Sequence, residues 1–218
     1  MRWWAGEMRT KLKICGMKHS ANITDVAALA PAYMGFIFYP KSERFVERMD
    51  AAVLESIPEG IKRTGVFVNE SLEQMAVIVA KYHLHAVQLH GTEPADKVAG
   101  LKQVLPADVA VIKAFGIGPG FDFSKLDAYQ PYVDYFLFDT QTPAHGGSGR
   151  RFDWTLLEGY LLDKPYFLSG GIGPESSDEL LSITDERLYA IDVNSRFELE
   201  PGLKDVDKLR DFKNKLSL

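Results

Sequence analysis

Two side chains that can exchange protons each lie where an apolar, strand-like segment ends. Cys15, the one cysteine among 218 residues, follows the stretch KLKI, and Asp139 ends the segment YFLFD (135–139). A thiol can act as a base or nucleophile when nearby donors favour the thiolate. A carboxyl group in apolar surroundings favours its neutral form, which suits a general acid near neutral pH. The alternatives are a buried, inert cysteine and an aspartate that accepts backbone N–H groups in a turn.

A glycine-rich segment and a second polar segment have the composition of phosphate-binding loops. SGGIGPE (169–175) places Gly170 and Gly171 where an apolar segment stops, and Pro174 where a helix can begin. Glycine lets the backbone approach a ligand closely, proline suits the first helical position, and free N–H groups there attract anions. NSR (194–196) follows the last strand-like segment in the same way. A tight turn without a ligand is the alternative.

Three further segments are candidates for binding or metal chemistry. His90 precedes a glycine at the end of an apolar segment and can donate a hydrogen bond to a ligand, although an ordinary turn histidine is the alternative. HLH (83–85) has no matching ligand pattern nearby, so the sequence predicts no metal site. GGSGRRFDW (146–154) lacks the G-x-G-x-x-G spacing of a dinucleotide site, and we expect a mobile loop that closes over the site.

These residues are positioned by two alternating kinds of segment. Short segments rich in β-branched and aromatic residues predict strands over 12–17, 33–39, 63–68, 86–91, 109–115, 135–140, 165–171 and 189–195. Apolar residues at helical spacing predict helices most clearly over 23–30, 71–82, 93–104 and 204–216. In the third helix we expect Ala95, Val98, Leu101 and Val104 on the buried face. The helical pattern is weakest after the second, fifth and sixth strands.

Strands that alternate with helix-length segments pair in parallel through right-handed crossovers. About eight such units fill the chain without a linker, which predicts an α/β fold with a single closed (β/α)8 TIM barrel. We place this domain over residues 11–218 and treat residues 1–10 as an N-terminal extension. A doubly wound open sheet with fewer strands is the alternative. In a barrel the ligand site lies at the C-terminal ends of the strands, where Cys15, His90 and Asp139 stand.

Composition limits the classes of function. One cysteine cannot form an internal disulfide, which suits a reducing compartment. No segment approaches the ~18 apolar residues of a membrane helix, and the N-terminus has no apolar stretch long enough for a signal peptide. The net charge of −5, with basic residues scattered along the chain, argues against nucleic-acid binding. We expect a cytoplasmic protein with no nucleic-acid, membrane or obligatory protein partner.

The motifs, taken in order, resemble those of a known family. KICGM, MGFIFYPKSERFV, KRTGVFVN, VQLHG, VIKAF, FLFDT, GGSGRRFDW, LSGGIGPE, IDVNS and PGLKD follow one another along the chain from about residue 11. Together they are similar to phosphoribosylanthranilate isomerase of tryptophan biosynthesis, a single (β/α)8 barrel. The combination is specific, although no single motif is.

The resemblance implies a cofactor-free Amadori rearrangement of a small phosphorylated substrate. N-(5-phosphoribosyl)anthranilate would become 1-(2-carboxyphenylamino)-1-deoxyribulose 5-phosphate. Asp139 would protonate the ring oxygen of the sugar, and the Cys15 thiolate would remove the proton from C2. Arg44 matches the arginine that pairs with the anthranilate carboxylate, a task suited to the guanidinium fork. The remaining matched positions line the pocket (His90, Asp192) or bind phosphate (Gly170, Gly171, Asn194, Ser195).

One departure from the family pattern affects the phosphate site. Arg196 stands in NSR where the family usually has the glycine of SSG. A positive φ at this position would cost an arginine on the order of 1 kcal/mol, whereas its side chain would add a charged donor.

The same motifs have three alternative functional interpretations. A ribulose-phosphate epimerase would need paired histidines and aspartates for a metal, which the strand ends lack. An indole-glycerol-phosphate synthase would need catalytic lysines and a glutamate, and only Lys113 in VIKAF is suggestive. A catalytically silent barrel that binds a phosphate ligand is a further alternative, because fold alone does not fix function.

Overall fold

The computed structural model describes residues 10–141 and 151–218 and contains the predicted barrel. Eight parallel strands pair in chain order and close, with the last strand bonded to the first. They are β1 Lys11–Ile14, β2 Tyr33–Ile37, β3 Lys62–Phe67, β4 Ala86–Leu89, β5 Ala110–Ile117, β6 Tyr135–Thr140, β7 Tyr166–Leu168 and β8 Leu188–Val193. The closed (β/α)8 fold is therefore confirmed, and the open sheet is excluded.

α-Helices cover the barrel, and one of them, a short helix, follows β2, where the sequence pattern is weak. They are α1 Ser20–Ala27, α2 Ala51–Ser56, α3 Leu72–Tyr82, α4 Ala95–Val104, α5 Ser177–Ser182 and α6 Val206–Leu216. α3 begins where the Ser71 side chain accepts a hydrogen bond from Gln74 N, and α6 begins with the matching bond from Lys208 N to Asp205. Between β5 and β6 the chain forms short 3₁₀ turns, Phe123–Leu126 and Gln130–Tyr132. The weak pattern after the fifth strand thus reflects the absence of an α-helix there.

The buried face of α4 differs from the prediction at its C-terminal end. Val98 and Leu101 are fully buried, but Val104 is 49% exposed. Leu105, one residue beyond the helix, takes the buried position instead. Positions 98, 101 and 105 follow the i, i+3, i+7 spacing of a single helix face, which explains why the shift is by one residue.

A short hairpin follows the barrel's last strand. β9 (Glu198–Glu200) and β10 (Leu203–Lys204) pair in antiparallel fashion after a 3₁₀ turn at Ser195–Phe197. The side chain of Asn22 in α1 bonds both to the backbone N–H and to the carbonyl oxygen of Lys204, at 2.7 and 2.9 Å. These bonds fix the hairpin against the barrel, so that its side chains can reach the strand ends.

The interior of the barrel changes from apolar to polar along the strands. The lower level is a buried cluster of Tyr33, Ala86, Ile112, Leu137, Phe167 and Ala190. Because side chains on one face of a strand recur every second residue, the next inner positions are those two residues further on. On four strands these are Gln88, Asp139, Ser169 and Asp192. An apolar floor therefore supports a polar level at the C-terminal end.

A larger cluster lies outside the barrel, between the strands and the helices. It contains alternate residues of the same strands, such as Phe136 and Phe138 of β6. Tyr160 and Tyr166 pack against Phe138 with ring centroids 5.0 and 5.1 Å apart. In the two described ranges, no helix is long and apolar enough to cross a membrane.

Candidate active site

Cys15 follows β1 on the inner face of the barrel. Its backbone N–H donates to Val193 O at 2.9 Å, which fixes the start of the loop after β1 against β8. A Cβ atom built on Gly35 would lie only 2.6 Å from the Cys15 sulfur, so this glycine of β2 makes room for the thiol. Cys15 is 4% exposed, and burial raises the pKa of its thiol above the ordinary value.

Lys13 and Asp192 form an ion pair beneath the thiol. The two residues are paired in register between β1 and β8, and Lys13 Nζ lies 2.8 Å from Asp192 Oδ1. Both side chains are buried, at 0% and 5% exposure. Burial is the largest single influence and lowers the pKa of Lys13, but the charges of Asp192 and Cys15 and the bond to Asp192 together outweigh it and raise that pKa. Lys13 is therefore an ammonium group inside the barrel.

Asp139 lies at the end of β6 in polar surroundings. Thr140 N donates to its Oδ1 at 2.7 Å, and His90 Nε2 lies 3.2 Å from its Oδ2. The aromatic residues of the same strand, Phe136 and Phe138, belong to the outer cluster. The apolar environment expected from YFLFD is thus on the opposite face of the strand, and the carboxyl group faces hydrogen-bonding partners.

Gln88 connects to Asp139 through His90. Gln88 Nε2 lies 2.9 Å from His90 Nδ1, and an amide NH₂ donating to Nδ1 leaves the ring proton on Nε2, toward Asp139. The carbonyl oxygen of Gln88 is buried and has no partner among the residues that the structure describes. Gln88, His90 and Asp139 therefore form a hydrogen-bonded chain that can hold a proton at the Asp139 carboxyl group or transfer one to it.

Arg44, in the loop after β2, is paired with the hairpin. Its Nε donates to Glu198 Oε1 at 2.9 Å and its Nη2 donates to Oε2 at 2.6 Å. Lys204 Nζ donates to Glu198 Oε1 at 2.6 Å and to Asn194 Oδ1 at 2.7 Å. Within the described residues, nothing accepts a hydrogen bond from Arg44 Nη1. The edge of the guanidinium formed by Nη1 and Nη2 is therefore the part that the bonds to Glu198 leave open.

The glycine-rich loop after β7 lies next to Asp139. Gly170 and Gly171 have φ values of +91° and +63°. A Cβ atom on Gly170 would lie 2.6 Å from Thr140 N and 2.8 Å from Asp139 Oδ1. Both the left-handed backbone and the close approach therefore require glycine at position 170.

The loop after β8 differs from the expectation for Arg196. Arg196 is not among the described residues with positive φ, so the expected backbone cost does not arise. Its Nη2 donates to Glu175 Oε1 at 2.6 Å, and both side chains are about half exposed. Arg196 therefore joins the loop after β8 to the loop after β7. Ser195 begins the 3₁₀ turn, whereas the Asn194 side chain is bonded to Lys204.

The residues considered for other chemistry lie outside this group. In the described parts of the chain, no cluster of His, Cys, Asp or Glu could hold a metal ion. Lys113 pairs with Glu93 at 3.2 Å and donates to Gly91 O and Ala114 O. It alternates with the inner residues Ile112 and Ala114, which places it in the outer layer. Most of GGSGRRFDW, the expected closing loop, lies outside the described residues.

Sequence reasoning missed four residues of the group: Lys13, Gln88, Glu198 and Lys204. Lys13 and Gln88 lie inside apolar strands, two residues before Cys15 and His90 respectively. Because side chains of a strand alternate between its two faces, a polar residue two positions before a candidate residue lies on the same face, and this spacing could have identified Lys13 and Gln88. Glu198 and Lys204 carry no comparable signal, because a short charged hairpin is typical of a solvated surface.

Known proteins of one family match this chain along nearly its whole length. A family described as N-(5'phosphoribosyl)anthranilate (PRA) isomerase matches residues 12–215. The N-(5'-phosphoribosyl)anthranilate isomerase of Parabacteroides distasonis is 45% identical over 203 residues, covering 92% of this chain and 90% of that protein. The protein of the same name from Phocaeicola vulgatus is 40% identical over 205 residues, covering 94% and 97%.

Solved structures give the same result. The crystal structure of phosphoribosyl anthranilate isomerase from Thermotoga maritima has a TM-score of 0.82 and 34% identity, over 96% of this chain and 100% of that one. A phosphoribosyl anthranilate isomerase in complex with reduced 1-(o-carboxyphenylamino)-1-deoxyribulose 5-phosphate has a TM-score of 0.74 and 30% identity, with the same coverage. From its sequence and its barrel alike, the chain belongs to the N-(5'-phosphoribosyl)anthranilate isomerase family.

Proposed function

We propose that this chain isomerises N-(5-phosphoribosyl)anthranilate to 1-(2-carboxyphenylamino)-1-deoxyribulose 5-phosphate, a step of tryptophan biosynthesis. The observation that supports this most strongly is the pairing of an inner-face thiol, Cys15, with a carboxyl group, Asp139, at the same end of one barrel. Asp192, which bonds to Lys13, lies within the electrostatic reach of both Cys15 and Asp139. An aldose-to-ketose isomerisation needs one proton donor and one proton acceptor.

The two residues take complementary roles in this mechanism. Asp139 donates a proton to the ring oxygen as the bond from that oxygen to C1 breaks, and the open form is a Schiff base. Cys15, as thiolate, then removes the proton from C2, and the electron pair left on C2 forms the enolamine. Protonation at C1 and loss of the C2 hydroxyl proton give the ketone. His90, 3.2 Å from Asp139, is suited to return a proton to that carboxyl group.

Arg44 is proposed to bind the carboxylate of the anthranilate ring. Glu198 and Lys204 leave a net charge of +1 on the group of three, which a single ligand carboxylate neutralises. The bidentate pair with Glu198 fixes the guanidinium plane, so less freedom is lost when the ligand binds. Asp192 remains proposed as a substrate-binding residue, because it belongs to the polar level at the C-terminal end of the barrel, where its second oxygen lies 3.5 Å from the Ser169 hydroxyl.

The phosphate is proposed to bind between the loops after β7 and β8. No described residue accepts a hydrogen bond from the backbone N–H of Gly170, Gly171 or Ser195. Free backbone N–H groups of this kind, two of them on glycines with positive φ, bind anions without a charged side chain. The Asn194 side chain is held by Lys204, so its proposed contribution is through the backbone.

The remaining expectations are proposed with the activity. The reaction needs no cofactor, because every step of this scheme is either a proton transfer or the opening of the sugar ring. We propose one barrel domain over residues 11–218, with residues 1–10 outside it. A cytoplasmic location is proposed from the single, unpaired cysteine, which is buried as a free thiol.

The direct test follows the loss of anthranilate-type fluorescence from N-(5-phosphoribosyl)anthranilate with the purified full chain, with and without a chelator. We expect turnover that the chelator does not change. No turnover, or turnover abolished by the chelator, would contradict the proposal. A barrel that binds the reduced product analogue without turnover would support the silent binding protein instead.

A further inference from the structure

The proposed base is in surroundings that oppose its active form. Cys15 is 4% exposed, and a buried thiolate is costly unless a cation or hydrogen-bond donor compensates the charge. Three cations lie near enough to act on it electrostatically: Lys13, Lys204 and Arg44. One anion, Asp192, acts in the opposite direction. Which cation supports the thiolate depends on which still has donors available.

Lys204 and Arg44 are already committed to other partners. Lys204 Nζ donates to Glu198 Oε1 at 2.6 Å and to Asn194 Oδ1 at 2.7 Å. Arg44 uses its Nε and Nη2 on both oxygens of Glu198. The carboxylate of Glu198 therefore offsets much of the charge that these two residues present to Cys15.

Lys13 has both the position and the free donors. It is two residues before Cys15 on the same strand face, it is 0% exposed, and its one oxygen partner in the described chain is Asp192 Oδ1 at 2.8 Å. An ammonium group has three N–H donors, so two remain. The charge of Lys13 acts on Cys15, and among the charged groups around the thiol it is the largest influence that lowers the pKa of the thiol.

We infer that Lys13 is a positioning residue for the base: its ammonium group holds Cys15 as the thiolate, while Asp192 keeps that ammonium charged and in place. The inference rests on the proposed function, in which Cys15 removes the proton from C2. Lys13 touches no reacting atom of the substrate in this scheme. It acts through the sulfur, and the Asp192 carboxylate limits how strongly it acts.

The test measures the pKa of the Cys15 thiol directly and does not depend on enzyme turnover. Because Cys15 is the one cysteine in the chain, the pH dependence of iodoacetamide alkylation, followed by intact mass, reports its pKa alone. We expect Lys13→Met to raise that pKa by about one unit, so that alkylation at pH 8 slows about tenfold. An unchanged alkylation profile in Lys13→Met would overturn the inference.

Two further variants separate the inference from a general effect of removing buried charge. Lys113→Met removes an equally buried lysine that pairs with Glu93 in the outer layer, and we expect no change in the alkylation profile. If Lys13→Met does not fold, because Asp192 is left buried and unpaired, the double variant Lys13→Met/Asp192→Asn is compared with Asp192→Asn. The double variant must have the higher thiol pKa, and equal values would overturn the inference.

The isomerase assay on the same proteins distinguishes failure of the Lys13 effect from failure of the proposed function. The pH dependence of kcat/KM in Lys13→Met should move upward by the same amount as the alkylation profile. A shift in alkylation with no turnover in the parent protein would leave the Lys13 effect standing and refute the proposed function. A parent protein that turns over normally, with an unshifted thiol in Lys13→Met, would refute the Lys13 effect alone.

Discussion

The proposed mechanism requires both Cys15 and Asp139, because the isomerisation needs one proton acceptor and one proton donor. We expect Cys15→Ser and Asp139→Asn each to lower kcat by ~10²–10⁴-fold, the range for loss of a general base or acid. Serine keeps the size of the side chain but not its acidity, and asparagine keeps the hydrogen bond from Thr140. Steady-state kinetics together with circular dichroism measure the loss in a folded protein. Turnover near the parent rate in either variant would remove that residue from the mechanism.

Arg44 is expected to act on affinity rather than on the chemical step. Arg44→Ala should raise KM about 10–100-fold with a smaller change in kcat, because a charge-assisted hydrogen bond is worth about 1.5–3 kcal/mol. Arg44→Lys should recover little, since an ammonium group cannot pair with Glu198 and a ligand carboxylate in two forks. Steady-state kinetics of both variants measure the split between KM and kcat. An unchanged KM in Arg44→Ala would place the carboxylate elsewhere.

Glu198 provides the matched comparison for Arg44. Glu198→Gln keeps the size of the side chain and removes the charge that holds both Arg44 and Lys204. We expect an intermediate rise in KM, because the guanidinium is still present but its plane is no longer fixed. A rise in KM larger than that of Arg44→Ala would show that Glu198 contacts the substrate group by another route.

At the scale of elements, the spacing of β1 and β2 determines where the thiol lies. Gly35→Ala would put a Cβ atom 2.6 Å from the Cys15 sulfur and 3.1 Å from its Cα. We expect kcat to fall by up to about 10²-fold, because displacement of a reacting group by about 1 Å costs this much. Gly60→Ala is the control, since no atom lies within 4 Å of its Cβ position. Similar kinetics in the two variants would show that the thiol tolerates displacement.

Elements also show what sequence patterns can and cannot provide. The alternation of about eight strand-like and helix-length segments predicted the barrel, because strands separated by helices pair in parallel. Reading the strand ends found Cys15, His90, Asp139 and Asp192, because a parallel barrel brings those ends together. It did not find the Arg44–Glu198 pair, which joins residues 154 positions apart through a hairpin that the pattern did not predict. Such a contact depends on loop geometry, which hydrophobic periodicity does not encode.

At the scale of the whole molecule, an ion pair far from the site contributes to stability at neutral pH. Asp185 accepts hydrogen bonds from Arg187 N and Nε and from the Tyr166 hydroxyl, at 2.9, 2.8 and 3.1 Å. Arg187 also donates to the carbonyl oxygens of Tyr160 and Leu162. Burial by itself raises the pKa of Asp185, but the bonds and charge of Arg187 outweigh it and hold the pKa below the ordinary value.

The direction of that pKa shift sets the pH window of the effect. A carboxyl group with a lowered folded-state pKa stabilises the fold above its unfolded pKa, about 4, and this stability is lost as pH falls through the folded value. We therefore expect Asp185→Asn to lower the free energy of unfolding by about 1–2 kcal/mol at pH 7, and by much less near pH 3. Urea unfolding at the two pH values measures the difference. An equal loss at both would show that packing, not charge, is responsible.

The apolar floor of the barrel has a consequence for the order of binding and release. Tyr33 and Phe167 meet edge to face at 5.3 Å there, among buried aliphatic side chains. As far as residues 10–141 and 151–218 define the interior, a sugar phosphate cannot pass beneath this packing and has a single entrance and exit. Each product molecule must therefore vacate the barrel before another substrate molecule enters, and product added to the assay should compete directly with substrate.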